Sequence, residues 1–193
     1  NGGEVTGMED AEIVQMYWER DEQAIPATAE KYGSYCTSIA NNILGNSEDA
    51  EECVNDTYLK AWNAIPPQRP SILPAFLGTI TRNLSFNRYK YNTAGRRGGG
   101  ETAVVLEEIA GVVSGADDVE QEINRKELIQ AIDDFLASLP AHKRKIFVCR
   151  YWYFDPVAEI AVRSGMTENH VSVTLNRLRA QLRRCLTERG FDL

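Results

Sequence analysis

Residues 157–186 carry the pattern that most limits how this chain folds, because they are typical of two helices joined by a tight turn. Val157, Ile160 and Ala161 have the i, i+3, i+4 spacing of an amphipathic helix. Gly165 can adopt the left-handed conformation that ends a helix. Thr167 can cap the next helix by accepting hydrogen bonds from its free N–H groups.

The second of these helices has one apolar face and one face rich in small polar and basic residues. Its predicted buried stripe is Val171, Leu175, Leu178 and Leu182. No acidic residue occurs between Asn169 and Leu186. Short polar side chains followed by arginines suit the major groove of DNA, where they meet base edges and phosphates. A solvated amphipathic helix in an ordinary helical bundle is the alternative.

The overall charge of the chain, −7, argues at first against a nucleic-acid partner, but its distribution matters more. Acidic residues concentrate in residues 9–30, 48–56 and 101–122, whereas residues 76–97 and the second helix of the pair are basic. The 193 residues suffice for one domain or two small ones. With no apolar run near the ~20 residues of a membrane span and no signal-peptide pattern, we expect a cytoplasmic protein without membrane insertion.

Helical periodicity dominates the chain, and no segment alternates as a strand does. We predict an all-α fold, with helices over residues 11–17, 24–44, 48–64, 75–91, 119–138 and 141–153 before the final pair. Ser47 is the predicted cap of the third helix. The run GRRGGG at residues 95–100 begins a predicted flexible stretch, whose acidic residues follow from residue 101 onward. Its apolar patch, residues 104–113, is either part of a linker or a short docked helix.

Two segments in the first half of the chain are candidate binding surfaces. Residues 48–62 place an acidic and polar stripe opposite an apolar face, which is either a docking surface or a solvated helix surface. Residues 76–97 mix aromatic and basic side chains, a combination that holds single-stranded DNA. For any one of those aromatic rings a place in the core is the preferred interpretation, whereas the cluster as a whole, with the proline-rich loop before it, favours DNA binding.

Catalytic and metal-binding patterns are absent from the sequence. The four cysteines are scattered without a CxxC pair, and the two histidines have no spacing that indicates a metal site. There is no nucleophile–base pair and no phosphate loop. We therefore expect no catalytic residue, no metal and no cofactor.

Three runs of residues occur in the order typical of one protein family: ILGNSEDAEECVNDTYLKAW, PAFLGTITRNLSFNRYK and LPAHKRKIFVCRYWYFDPVAEIAVRSGMTENHVSVTLNRLRAQL. Together they closely resemble bacterial sigma factors of the extracytoplasmic-function (ECF) type, within the sigma-70 family. The resemblance implies sigma domain 2 over residues 8–94, a flexible acidic linker over 95–118, and the helix-turn-helix sigma domain 4 over 119–190. It also implies a non-enzymatic protein that directs promoter-specific initiation, including melting of the minus-ten element. Its partners would be core RNA polymerase, promoter DNA in duplex and single-stranded form, and an anti-sigma factor, which the family commonly has.

The resemblance also implies roles for individual residues, carried over by position. The residues implied to bind the β′ clamp helices of core polymerase are Glu48, Asp49, Glu52, Asn55 and Asp56. The residues implied to contact minus-ten DNA are Arg82, Asn83, Phe86, Asn87, Arg88 and Tyr89. The residues implied to contact minus-thirty-five DNA are Asn169, His170, Ser172, Val173, Asn176, Arg177, Arg179 and Arg183, the three arginines through phosphates. The loop at 66–74 would capture a flipped base, and residues 139–153 would pack on the β flap.

The sequence departs from the family pattern at several of these positions. Asn55 stands where Gln is common, Asn87 where Asp is common, and Phe76 where Trp is common. Phe76 keeps an aromatic ring, so packing should survive there, whereas the missing acid at Asn87 can alter base preference. The proline-rich composition of the loop at 66–74 prevents its base choice from being inherited.

We hypothesise that the two DNA-reading faces are weak alone and become effective when polymerase holds both. The acidic tether would repel DNA and favour a basic region of the polymerase. The main alternative is a repressor or response-regulator-like protein that binds palindromic sites as a dimer without polymerase. A pure interaction module is a further alternative, which the basic and aromatic helix argues against.

Arg177→Ala should weaken binding to all promoters and lower the slope of log affinity against log salt by about 0.9, the contribution of one phosphate contact. Fluorescence anisotropy titrations at several KCl concentrations measure both quantities. A loss confined to some promoter sequences, with an unchanged slope, would instead assign Arg177 to base reading.

Overall fold

The computed structural model describes residues 7–94, 100–110, 112 and 121–191, with the side chains of 121–125 left aside. In these residues the only regular secondary structure is α-helix, which confirms the predicted all-α class. The helices are α1 Asp10–Trp18, α2 Ala24–Leu44, α3 Ser47–Ala64, α4 Leu73–Thr93, α5 Glu101–Ala110, α6 Gln121–Ser138, α7 Ala141–Tyr151, α8 Val157–Ser164 and α9 Glu168–Glu188. The chain divides into two compact units, unit 1 (Asn1–Arg97) and unit 2 (Gly98–Leu193).

Unit 1 is built on three long helices, α2, α3 and α4, each of which packs against the other two, with α1 lying on α2. Small residues permit this close approach, since Ala40, Ala50 and Ala61 are fully buried between the helices. Gly78 of α4 is needed for the same reason, because a Cβ there would lie 2.5 Å from the Tyr35 hydroxyl oxygen. The larger members of the core include Ile13, Tyr17, Ile65, Leu73 and Leu77.

Buried hydroxyl groups join the helices of unit 1 at two points. The hydroxyl oxygens of Thr57 on α3 and Thr81 on α4 lie 3.0 Å apart. Tyr17 of α1 donates to Thr28 of α2 across 2.8 Å, and Thr28 in turn donates to the carbonyl of Ala24. These bonds satisfy polar groups that would otherwise be costly to bury. They also favour one alignment of the helices over others.

The predicted end of α2 at residue 44 is confirmed, whereas the predicted cap of α3 is wrong. Gly45 has φ 62° and ends α2 in the left-handed conformation. The cap of α3, however, is Asn46, whose side chain accepts a hydrogen bond from the Asp49 N–H at 3.0 Å. Ser47, the predicted cap, is the first residue of the helix. Both residue types cap helices well, so the local sequence could not choose between them.

Unit 2 is organised around α9, which packs against α6, α7 and α8. Its core is apolar, with Phe135, Ile146, Phe147, Ile160, Val171, Leu175, Leu178, Leu182 and Leu186 all buried. Of the predicted linker, residues 95–99, 111 and 113–118 lie outside the described residues. Residues 101–110 form α5, which packs on α7 with Thr102 and Val105 buried. The apolar patch was predicted to be either linker or a short docked helix, and as far as Ala110 it is a docked helix.

Replacing Leu77, which is fully buried in α4, by Ala should destabilise unit 1 by about 2–5 kcal/mol through lost burial and a residual cavity. Exchange of the slowest amides in α2 and α4 with deuterium measures this unit separately from unit 2. The matched control is Leu59→Ala on α3, where the side chain is 56% exposed and a change within about 0.5 kcal/mol is expected. Equal losses in the two variants would contradict this packing.

Candidate nucleic-acid interface

The helix pair predicted at the C-terminal end is present in unit 2, with the expected turn chemistry. α8 ends at Gly165, which has φ 62° and ψ 30°. Thr167 then caps α9, its hydroxyl oxygen accepting from the His170 N–H at 3.2 Å. Because the first N–H groups of a helix carry partial positive charge, this end of α9 suits the approach of an anion such as phosphate.

The predicted base-reading residues of α9 all lie on its solvent side. Exposed positions in the first half of the helix are Asn169, His170, Ser172, Val173 and Asn176. The opposite face is buried in the core of unit 2, so the helix can present only this side to a groove. Arg177 and Arg183 are also exposed, as a phosphate-binding role requires.

Arg179, the third predicted phosphate-binding arginine, is placed differently from the other two. Its side chain is 20% exposed. The guanidinium donates to the Tyr151 hydroxyl at 2.6 Å and lies 3.3 Å from the Glu108 carboxylate. Its other terminal nitrogen reaches the Asn176 side-chain oxygen at 3.4 Å. Arg179 therefore has intramolecular partners on α5, α7 and its own helix.

The contacts of Arg179 belong to a larger ionic network around Arg150 of α7, a residue only 1% exposed. Arg150 donates to both carboxylate oxygens of Glu108, at 2.9 and 3.2 Å, and to Glu101. It also donates to the carbonyl oxygen of Asp155 at 3.2 Å. A buried cation needs such partners, since an unpaired one is costly.

Glu108 is the residue of α5 on which the network converges. Burial alone would raise the pKa of its carboxyl group, but hydrogen bonds and charge from Arg150, with help from Tyr151 and Arg179, hold that pKa below its ordinary value. The carboxylate is therefore the favoured form at neutral pH. Burial and the charge of Glu108 outweigh the opposing effect of Arg179 and raise the pKa of Tyr151 to about 12, so its hydroxyl remains a donor to Glu108.

In unit 1, the predicted minus-ten residues lie along α4 with unequal exposure. Asn83 and Asn87, one helical turn apart, are exposed. Phe86 and Tyr89 are half-buried. The half-buried Arg82 guanidinium lies over the Phe86 ring, 4.8 Å from its centroid, and burial lowers the pKa of Arg82. α4 thus presents two amides beside a cation stacked on an aromatic ring.

The predicted polymerase-binding stripe on α3 is joined to α4 through Arg88. The Arg88 guanidinium lies 2.5 Å from the Glu52 carboxylate and 3.6 Å from that of Asp49. Asn92 of α4 also donates to Asp49, at 2.8 Å. The other stripe residues, Glu48, Asn55 and Asp56, are exposed. Residues assigned to two different partners are therefore in direct contact.

The loop that joins α3 to α4 is held by two arginines that the sequence did not single out. Arg20, which follows α1 with φ 62°, donates to the carbonyl oxygens of Trp62 and Ile65 at 2.5 and 3.2 Å. Its guanidinium also lies 4.9 Å from the centre of the Trp62 ring. Arg69 of the loop lies over the ring of Trp18 and donates to Gln15 at 2.6 Å. The predicted base-capturing loop is thus fastened to α1 at both of these places.

The segment predicted to pack on the β flap, residues 139–153, uses its apolar side chains inside unit 2. Ile146, Phe147 and Tyr151 are buried, whereas His142, Arg144 and Lys145 are exposed. Any surface that this segment offers to a partner therefore includes cations. In the part of the chain that the structure describes, no group of three or more His, Cys, Asp or Glu residues is arranged to hold a metal ion. None of the described helices combines the length and the apolarity that crossing a membrane requires.

Comparison with known proteins identifies the helices of unit 1. Residues 28–94, which comprise most of α2 together with α3, the following loop and α4, match the family model for sigma-70 region 2. These residues are therefore similar to sigma-70 region 2. The motifs at residues 43–62 and 74–90, which resemble the same family, both lie inside the matched range.

Two further comparisons concern solved structures and curated proteins. The solved structure of CnrH in complex with the cytosolic domain of CnrY is similar at 18% identity and a TM-score of 0.43, covering 94% of this chain and 99% of that one. A search of the curated proteins found no match.

Arg20→Gly should loosen the start of the loop at 65–69, because it removes the guanidinium while glycine accepts the positive φ without strain. We expect faster deuterium exchange of the Ile65 and Gln68 amides, with the amides of α2 unchanged. Lys60→Ala, which removes an exposed cation on α3, is the control and should leave these amides as they are. Unchanged exchange in Arg20→Gly would mean that the loop is held by other contacts.

Proposed function

We propose that this chain is an ECF-type sigma factor that binds core RNA polymerase and directs initiation at promoters with its own minus-ten and minus-thirty-five sequences. The observation that carries the proposal is the sigma-70 region 2 match over residues 28–94, followed in the same chain by a capped helix pair whose second helix has no acid between Asn169 and Leu186. Residues 94–120 separate α4 from α6, and this range includes α5. It is too short to contain the intermediate domain of larger sigma factors.

Unit 1 would supply polymerase binding and minus-ten melting. The exposed acidic and polar stripe of α3 offers negative charge to basic groups on the β′ clamp helices. The amides and the stacked cation of α4 suit unpaired bases and their phosphates. Each base stacked on an aromatic ring contributes about 1–3 kcal/mol, which offsets an unstacking cost of a few kcal/mol per flipped base. The loop fastened by Arg20 and Arg69 would receive one such base.

Unit 2 would bind the minus-thirty-five duplex through α9. Exposed Asn169, Ser172 and Asn176 are of a size to reach base edges in the major groove, and the exposed arginines behind them neutralise phosphates. Few phosphate contacts give weak binding at physiological salt, because each contributes a salt slope of only about 0.9. Attachment of both units to one polymerase raises their effective concentration at a promoter.

A sigma factor of this kind acts as a regulator in the cytoplasm rather than as an enzyme, and it commonly has an anti-sigma partner. The competing function, a dimeric repressor, predicts palindromic sites and specific binding by the isolated protein. The sigma function predicts little specific binding until core polymerase is present. Run-off transcription from a promoter library, with core polymerase and with or without this chain, separates the two.

Asp56→Arg should weaken binding to core polymerase at least tenfold, since it replaces an exposed acid by a cation at the C-terminal end of the α3 stripe. Co-elution on gel filtration and the yield of run-off transcripts measure the effect. Glu30→Arg, at an exposed position of α2, makes the same charge change away from the stripe and should co-elute normally. If both variants bind alike, the stripe is a solvated surface and another face contacts the polymerase.

A further inference from the structure

The linker helix α5 is an integral part of unit 2 and lies against one of its DNA-facing cations. Glu101, Val105 and Glu108 recur at i, i+4 and i+7 and so share one face of α5. Val105 is fully buried, and the acids on either side of it reach Arg150. The position of Glu108 beside α9 is therefore determined by apolar burial and by a second ion pair, independently of Arg179.

Arg179 lies on the stripe of α9 that faces solvent. Ser172, Asn176, Arg179 and Arg183 follow one another at intervals of four, three and four residues, which places them along one side of the helix. Ser172, Asn176 and Arg183 are exposed, and Arg179 alone among these four is partly covered. The side chains that cover it are Glu108 and Tyr151, which are themselves hydrogen-bonded to each other at 2.9 Å.

We propose that α5 is an intramolecular competitor of DNA: Glu108 occupies Arg179 as a phosphate would, and so withholds one cation of the recognition helix from the duplex. This inference rests on the proposed DNA-binding function of α9. While the carboxylate neutralises Arg179, this arginine does not neutralise a phosphate, so fewer of the counterions condensed on the DNA are released on binding. In addition, the negative charge of Glu108 beside the stripe repels the DNA backbone. Full use of Arg179 by DNA requires the Glu108 contact to be broken.

Glu108→Gln is the most informative variant because an amide oxygen can still accept from Arg150 and Tyr151 while the charge is lost. With the full chain and a fluorescein-labelled duplex of mixed sequence as the probe, we expect tighter binding by anisotropy. The salt slope should steepen by about 0.9, so the gain in affinity over the unmodified chain should grow by about 3.5-fold as KCl falls from 200 to 50 mM.

Two matched controls separate the Arg179 contact from other effects of the same charge change. Glu107→Gln removes an acid from the exposed side of α5. Glu101→Gln removes the acid that contacts Arg150 but not Arg179. Both should leave the salt slope as in the unmodified chain. In an Arg179→Ala background, Glu108→Gln should no longer change the slope, because the cation that it releases is missing.

A second measurement keeps the proposal testable if Glu108→Gln unfolds unit 2, which circular dichroism would show. Arg179→Ala should lower the slope by clearly less than Arg177→Ala, since Arg179 is already neutralised. Equal slopes for Glu108→Gln and Glu107→Gln, weaker binding by Glu108→Gln, or equal losses for the two arginine variants would each overturn the proposal. Weaker binding would show instead that Glu108 orients Arg179 for phosphate. Because the assay contains no polymerase, failure of the sigma function appears separately, in the run-off transcription experiment.

Discussion

The pairing of the buried Arg150 guanidinium is the interaction on which unit 2 depends. Arg150 lies inside the unit, and a cation in that position is tolerated only with acidic partners and saturated hydrogen bonds. Two of its acids, Glu101 and Glu108, come from α5, a segment with the charge composition of a solvated linker. The charge of one buried residue on α7 thus explains why an acidic stretch lies on the unit at all.

The same arrangement relates the stability of unit 2 to its proposed recognition of DNA. Glu108 balances Arg150 in the interior and Arg179 near the surface, so a change at this one carboxylate affects both. In unit 1, α4 likewise serves two purposes. Its inner side packs on α2 and α3, while its outer side carries the exposed residues Asn83 and Asn87. In each unit the helix proposed to read DNA is also a central packing element, which holds its exposed side chains on a rigid support.

Features governed by local spacing could be predicted from the sequence, whereas contacts between distant residues could not. The bounds of α2, the left-handed Gly165 and the Thr167 cap follow from periodicity and from the chemistry of single residues. The choice of Asn46 over Ser47 failed because two good capping residues are adjacent. The Glu108–Arg179 and Asp49–Arg88 contacts join residues that are far apart in the chain, and no local pattern indicates them. Arg20 was missed for the same reason, because the carbonyl groups to which it donates belong to Trp62 and Ile65, more than 40 residues further along the chain.

The ion pair between Arg88 and Glu52 has a consequence for how this surface can evolve. Under the proposed function, a substitution that adapts α3 to a different polymerase surface also alters the counter-charge of a residue on the helix proposed to contact the minus-ten element. Positions 52 and 88 should therefore be inherited together: where one loses its charge among relatives, the other should change as well. Promoter preference and affinity for core polymerase would then change together among related proteins.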